Sequence, residues 1–220
     1  MSIGLRSGVS FCEASGHLVF LDLHVDRYFG LVGAAEAAFR RLVRGGGRSV
    51  RCTPIEEMIA CGLLVDGPDV RLPAPCTAPP TPRTTLLDRR LPSVPPTAIA
   101  LAALGIMRAR VQLRRAGLAA ALGAASARKT RVPERTATPD AIGSSAATFR
   151  QCSLFTRSHD QCLVRSLALV CWLADRGEAA ELVVGVRVRP FSAHAWVQKD
   201  DLLLNERCDG VRAYTPILVI

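Results

Sequence analysis

Three residues in the last third of the sequence have the types and the spacing of a cysteine-dependent catalytic site. Cys162 follows Asp160, a good N-cap, so it lies in the first turn of a predicted helix, where free N–H groups and the helix dipole favour a thiolate. His194 lies on a predicted strand, and Glu206 follows the next short strand. This order predicts a nucleophile, a general base and an acid that orients the base.

Other residues compete for the same roles. His159 lies three residues before Cys162, but a loop histidine at that place lacks an orienting acid. The alternative acids Asp200, Asp201 and Asp209 occur in segments typical of turns. A cysteine taken alone is more often a small buried hydrophobe than a nucleophile, so the prediction depends on the three residues together.

A helix followed by three strands must position these side chains. Apolar residues recur at helical spacing after Cys162 until Gly177 supplies a stop. Residues 181–188, 193–199 and 202–204 are β-type runs. The predicted site therefore combines the start of a helix with one strand and with the end of the next.

Composition limits the classes of protein that fit. Hydrophobic residues make up 49% of the 220, which is ample for a core, and no uncharged apolar run approaches the ~18 residues of a membrane span. The amino terminus lacks the basic-then-apolar pattern of a signal peptide. We expect a cytoplasmic protein that does not interact with a membrane.

The eight cysteines include no Cys-x-x-Cys pair and no histidine cluster accompanies them. A structural zinc site is therefore not expected, and no metal ion is predicted at the catalytic site. Without a secretory signal, a disulfide framework is not expected either. Most of the eight are predicted to be small buried hydrophobes.

The net charge of +9 is concentrated in the middle of the chain. Residues 1–72 and 151–220 each contain eight basic and eight acidic residues, whereas residues 73–150 contain twelve basic and three acidic. A basic connector between neutral ends indicates either a docking surface for an acidic partner or a solvated linker. The neutrality of the first segment argues against binding to a nucleic acid.

The chain is predicted to have three parts in an α+β fold. Residues 1–72 have the outline of a winged helix-turn-helix-like module, with strands at 9–13, 17–23 and 26–31, helices at 34–44 and 53–61, and a strand and turn within 63–72. Residues 73–96 contain eight prolines, which favour an extended linker and exclude helix and sheet. The third part, residues 97–220, begins with a helical connector and ends in a catalytic core at 146–220. Its predicted helices span 97–115, 118–128 and 146–157, with a loop at 129–145.

The sequence around the candidate site resembles a known family. The run CLVRSLALVCWLADRGEAAELVVGVRVRPFSAHAWVQ, then LLLNE and YTPI, is similar to the lasso-peptide biosynthesis B proteins over about residues 150–220. These are transglutaminase-like cysteine peptidases, so the resemblance implies a transglutaminase/papain-like domain. The family's catalytic cysteine falls on Cys162 and its histidine on His194, while the aspartate of its LND-type motif falls on Glu206, one methylene longer.

The resemblance also implies a substrate and a partner. In the family, the triad removes the leader from a ribosomal precursor peptide before an ATP-using, asparagine-synthetase-like cyclase closes a macrolactam. No cofactor is implied for the peptidase, and any ATP dependence would come through the cyclase. The run DLHVDRYFGL resembles the strand region of a leader-recognition domain that one branch of the family carries. It implies that the leader adds a strand beside Asp26, Arg27, Tyr28, Phe29 and Leu31.

Two other functions stay open from the sequence. The same triad could transfer an acyl group to an amine, as in transglutaminases and arylamine acetyltransferases, because an acyl-enzyme at Cys162 is common to hydrolysis and transfer. A non-catalytic adaptor could instead present the precursor to a cyclase. The presence of both Cys162 and His194 speaks against the adaptor.

Overall fold

A computed structural model of the protein describes residues 2–47, 51–90, 92–132, 139–154 and 161–220. The chain divides into two compact units, residues 1–76 and 77–220. None of the helices in these described ranges has the length and the apolar run that crossing a bilayer requires.

The first unit consists of two small antiparallel sheets and two helices. Its elements, in chain order, are β1 (Ser2–Leu5), β2 (Val9–Ala14), β3 (His17–Asp22), β4 (Arg27–Gly30), α1 (Gly33–Arg44), α2 (Thr53–Ala60) and β5 (Leu64–Gly67). Strands β2, β3 and β4 form one sheet in that order, and β1 pairs with β5 in the other.

Three phenylalanines from the strands and from α1 form the centre of this unit's core. The ring centroids of Phe11 and Phe20 each lie 5.0 Å from that of Phe39, in edge-to-face geometry. Leu42 and Ile55, both fully buried, bring the two helices onto the same core. Edge-to-face pairs of this kind add to the stabilisation from burial.

The winged helix-turn-helix-like outline of this unit is not confirmed. Strands and helices occur close to the predicted positions, but the sequence reading missed β1, which pairs with β5 from the other end of the unit. The strand after α2 therefore joins an amino-terminal strand instead of forming a wing hairpin. A four-residue strand whose partner is some sixty residues away leaves little local pattern in the sequence.

The second unit packs helices against a five-stranded sheet. Its elements are β6 (Thr84–Thr85), α3 (Pro96–Lys129), α4 (Pro139–Leu154), α5 (Cys162–Ala174), β7 (Glu181–Arg187), β8 (Ser192–Lys199), β9 (Leu202–Leu203), α6 (Cys208–Val211) and β10 (Thr215–Val219). The strand order is β10-β7-β8-β9-β6, antiparallel except for the last pair. The predicted α+β class is confirmed.

Helix α5 lies between helices α3 and α4 and the sheet. It packs against α3, α4, β7 and β8. Its buried residues include Leu167, Val170 and Leu173, which recur at the spacing of one helix face. Because this face is buried in the core, the first turn of α5 is held beside β8.

The helical connector differs from the prediction in one place. Gly117 breaks α3 with φ 79° and ψ 174°, so that two helical segments follow each other as predicted. The predicted loop at 129–145 was wrong in its second half, because α4 begins at Pro139. Proline favours the first position of a helix, and the Pro139-Asp140 pair was the signal that the sequence reading passed over.

The proline-rich stretch contains a strand, although its composition was predicted to exclude one. Thr84 and Thr85 pair in parallel with Leu202 and Leu203 and complete the sheet edge. Threonine keeps the backbone N–H that proline lacks, so ladder hydrogen bonds can form at these two positions. We name residues 80–88 the strap.

Candidate active site

The predicted nucleophile begins helix α5. Cys162 is half-buried at the first position of the helix. Asp160, the predicted N-cap, lies outside the described residues, and Gln161 occupies the N-cap position without a side-chain capping hydrogen bond. The thiol therefore lies where the helix dipole favours negative charge.

The imidazole of His194 connects the cysteine with the acid. Its Nε2 lies 2.8 Å from Oε2 of Glu206. The side chain of His194 also hydrogen-bonds with Cys162, and Nδ1 is the ring nitrogen left for that contact. Strand β8 positions the histidine, and the segment between β9 and α6 positions the acid. The structure thus brings the three predicted residues together, while their catalytic roles stay predictions.

Ionisation of the three residues is coupled. Burial opposes the thiolate, but hydrogen bonds from His194 and from backbone N–H groups, together with the histidine's charge, outweigh it and lower the pKa of Cys162. Burial also opposes the imidazolium, yet its two hydrogen-bond partners raise the pKa of His194 to about 10. The pKa of Glu206 is lowered, because the hydrogen bonds with His194 and Arg207 N–H overcome its burial. A thiolate–imidazolium pair is the form that this arrangement favours at neutral pH.

The rival acids lie in turns or face other residues. Asp200 and Asp201 form the turn between β8 and β9, with Asp200 at φ 53°. The side chain of Asp209 is 94% exposed and faces Arg212 at 3.7 Å. His159 lies outside the described residues. Among the described carboxylates, Glu206 is the one placed to orient the imidazole.

A buried polar network, which the sequence did not lead us to predict, connects the three segments that carry the candidate catalytic residues. Ser166, fully buried one turn after Cys162, donates a hydrogen bond to the carbonyl of Ala195 at 3.0 Å. Asn205 donates to the Ser166 hydroxyl at 2.9 Å and accepts from Val197 N–H at 2.8 Å. A serine within an apolar helix face and an asparagine ending an apolar strand were the available signal, since buried polar groups require partners.

Aromatic rings surround the imidazole on β8. The ring centroid of His194 lies 5.4 Å from that of Tyr214 and 6.3 Å from that of Trp196. Gly185 is the residue opposite His194 on β7. A Cβ there would lie 2.8 Å from Trp196 Cη2 and Cζ3 and 2.9 Å from Tyr214 Cβ, so only glycine fits without displacing a ring.

Most of the remaining cysteines are not fully buried, contrary to the prediction. Cys12 and Cys152 are buried, Cys61 is exposed, and the others are intermediate. Burial raises the pKa of Cys12 to about 12 and also raises the pKa values of Cys76, Cys152 and Cys171. Cys162 is the cysteine whose pKa is lowered.

Three of the five residues predicted to bind a leader peptide line one pocket of the first unit. Arg27, Phe29 and Leu31 line a pocket of about 370 Å³ beside β4, one of the two edge strands of its sheet. Asp26 forms the turn before β4 with φ 49°, and Tyr28 alternates to the other face of the strand. All five residues therefore lie in or next to the edge strand β4, but only the alternate residues Arg27, Phe29 and Leu31 line the pocket.

The side chains brought together here are of the types that can perform acid–base and nucleophilic chemistry. No group of three or more His, Cys, Asp or Glu in the described ranges is placed to hold a metal ion. A thiolate, an imidazolium and a carboxylate in this arrangement can form and break an acyl-enzyme.

Comparison with known families agrees with this chemistry. The model of the Transglutaminase-like superfamily matches residues 100–219, more than half of the chain and all three candidate catalytic residues. No curated protein and no solved structure gives a significant match. The chain therefore belongs to the transglutaminase-like superfamily, which suggests activity of the cysteine peptidase or acyltransferase type.

Proposed function

We propose that the protein is a cysteine peptidase that binds and removes the leader of a ribosomal precursor peptide during lasso-peptide maturation, upstream of an ATP-dependent macrolactam-forming cyclase. The observation that carries the peptidase chemistry is the contact of His194 with both Cys162 and Glu206. The substrate class rests on the resemblance of residues 150–220 to the lasso-peptide B proteins.

The proposed reaction follows from the charges of the Cys162 thiolate and the His194 imidazolium. The Cys162 thiolate attacks the carbonyl carbon of the scissile peptide, and a backbone N–H near the start of α5 helps to hold the oxyanion. The His194 imidazolium then gives its proton to the leaving amine, which frees the core peptide and leaves an acyl-enzyme. Neutral His194 takes a proton from water, whose oxygen attacks the acyl carbon and releases the leader with a free carboxylate.

Leader binding is proposed for the exposed edge of the first unit. Strand β4 is at the edge of the sheet, so its outward backbone groups can pair with an extended peptide, and the pocket lined by Arg27, Phe29 and Leu31 can accept alternate side chains. The ring of Phe29 stacks on that of Phe20, with centroids 5.1 Å apart, so this side chain is packed against the core of the unit.

We also propose that the basic middle of the chain contacts the cyclase. The first segment of α3 exposes Arg108, Arg114 and Arg115 next to the exposed apolar residues Leu104 and Met107. An acidic partner surface would gain from both features. Changing the three arginines to glutamate should then weaken co-purification with the cyclase, most strongly at low salt. Unchanged co-purification at low salt would support the alternative, that this segment is a solvated linker.

Acyl transfer is the second candidate function, because the superfamily and the triad support it equally. The two reactions share the acyl-enzyme and differ in whether water or an amine resolves it. Incubation of the full chain with the precursor peptide and a primary amine, followed by mass spectrometry, distinguishes them. We expect free leader that ends in a carboxylate.

The controls separate the remaining interpretations. An amide of the added amine as the main product would favour transfer over hydrolysis. An intact precursor that binds but is never cleaved would favour the adaptor. Cys162→Ala should bind the precursor and give neither product, because it lacks the nucleophile.

A further inference from the structure

The strap makes a side-chain hydrogen bond to the backbone of the candidate catalytic acid. The hydroxyl of Thr85 donates to the carbonyl oxygen of Glu206 at 2.7 Å, across 121 positions of sequence. The same hydroxyl accepts a hydrogen bond from Leu87 N–H at 3.1 Å. Thr85 is 5% exposed. Its donor and acceptor roles are both used, so its rotamer is fixed.

Glu206 needs such support because of its place in the chain. It lies three residues beyond Leu203, the last residue of β9, and two before Cys208, the first residue of α6. Neither a strand ladder nor a helix therefore fixes its backbone. Its carboxylate contacts His194 and Arg207 N–H, so a shift of the backbone would move the oxygen that orients the imidazole.

Backbone hydrogen bonds hold the strap against the turn before β9. The N–H groups of Arg83 and Thr84 both donate to the carbonyl of Asp201, at 2.8 and 3.2 Å. These bonds set the parallel register that places Thr85 next to Leu203. The threonine hydroxyl is consequently held in a fixed position beside the end of β9.

A second connection from the strap leads to Trp196, through Gln198. Gln198, fully buried, donates to the carbonyl of Pro80 at 3.0 Å and accepts from the indole N–H of Trp196 at 2.8 Å. The Trp196 ring lies beside the imidazole of His194. The strap thus contacts the candidate acid Glu206 through Thr85, and it also contacts Gln198, which holds a ring next to the base.

We propose that Thr85 is a positioning residue for Glu206 and that the strap is part of the catalytic apparatus. The strap precedes residue 100, where the match to the superfamily begins, so that match does not cover it. The inference rests on the proposed function to the extent that Glu206 is the acid for His194. Through Glu206, the Thr85 hydroxyl stabilises the imidazolium and, with it, the thiolate of Cys162.

The test replaces Thr85 in the full chain by valine, which has the same shape but no hydroxyl, and by serine, which keeps the hydroxyl. Thr148→Val is the matched control, because Thr148 is also buried and also donates to a backbone carbonyl, at 2.8 Å, but within α4. The first readout is the pH dependence of iodoacetamide alkylation at Cys162, which needs no peptide substrate. The second is kcat and KM for cleavage of the precursor.

For Thr85→Val, we expect the alkylation midpoint to move to higher pH and kcat to fall about two- to tenfold, the range for one hydrogen bond, with KM unchanged. Thr85→Ser should restore both, and Thr148→Val should match the parent. Thr85→Ala carries the same expectation if the valine variant does not fold. A Thr85→Val protein that matches Thr148→Val in both readouts overturns the inference. If the parent cleaves no precursor while Thr85→Val still shifts the alkylation midpoint, the positioning role stands and the proposed substrate is wrong.

Discussion

Replacing Glu206 by glutamine tests the position at which this chain differs from the aspartate of the family it resembles. The amide has almost the same shape, so its oxygen can keep the hydrogen bond from Arg207 N–H that Oε1 now accepts at 2.9 Å. Its NH₂ group then faces Nε2 of His194. Because an amide nitrogen donates and the imidazolium Nε2–H also donates, the protonated histidine loses its partner.

The size of the effect follows from that contact. A hydrogen bond to a charged group contributes about 1.5–3 kcal/mol, and the partly exposed side chains, 22% for His194 and 31% for Glu206, argue for the lower end. About 1.5 kcal/mol corresponds to about one pKa unit. We therefore expect the thiolate–imidazolium pair to weaken and cleavage at neutral pH to fall roughly tenfold.

Two assays measure this change. The pH dependence of alkylation at Cys162 should show a midpoint about one unit higher in Glu206→Gln, and steady-state cleavage should show the loss in kcat. Glu206→Asp keeps the charge on a shorter side chain and should retain part of the activity. Asp209→Asn is the control, since Asp209 is exposed and faces Arg212.

One result would refute the assignment of the acid. If Glu206→Gln cleaves like the parent while Asp209→Asn or Asp201→Asn loses activity, Glu206 does not orient the histidine. The roles of Cys162 and His194 would be unaffected by that outcome.

The other predictions concern the nucleophile, the base and the buried network. Iodoacetamide at neutral pH should label Cys162 faster than Cys171, whose pKa burial raises; equal labelling would contradict the lowered pKa. His194→Ala should lower cleavage by roughly 10²–10⁴, and cleavage by the parent should fall as the pH rises through about 10, where the imidazolium loses the proton that the leaving amine needs. Ser166→Ala should lower the free energy of unfolding in urea by about 1–3 kcal/mol, because Asn205 and the Ala195 carbonyl lose a buried partner; an unchanged midpoint would mean that water replaces the hydroxyl.

The local sequence was sufficient to locate the three candidate catalytic residues. Helical spacing after Cys162 and the β-type run around His194 are short-range patterns, and each was enough to place its residue on a helix or a strand. Glu206 could be placed because it closely follows a short strand that pairs with β8. These three positions lie close in sequence, so the site required few long-range contacts to be inferred.

The supports of the site could not be inferred in this way. Thr85 reaches Glu206 across 121 positions, and β1 pairs with β5 across most of the first unit. Composition was misleading as well, since a proline-rich segment supplied an edge strand at two positions without proline. Contacts of this kind depend on how distant elements meet, which no local period in the sequence encodes.

Glycine at position 185 makes positions 185 and 196, on the paired strands β7 and β8, interdependent. A methyl group there would lie 2.8 Å from atoms of the Trp196 six-membered ring, which stands beside the imidazole. A larger residue at 185 therefore requires a smaller residue at 196, for example phenylalanine, whose ring does not extend as far, together with a shift of Tyr214, whose Cβ would lie 2.9 Å away. Gly185→Ala and Trp196→Phe should each destabilise the protein alone yet partly compensate each other in a double-mutant cycle. In relatives of this chain, the two positions are thus expected to change as a pair.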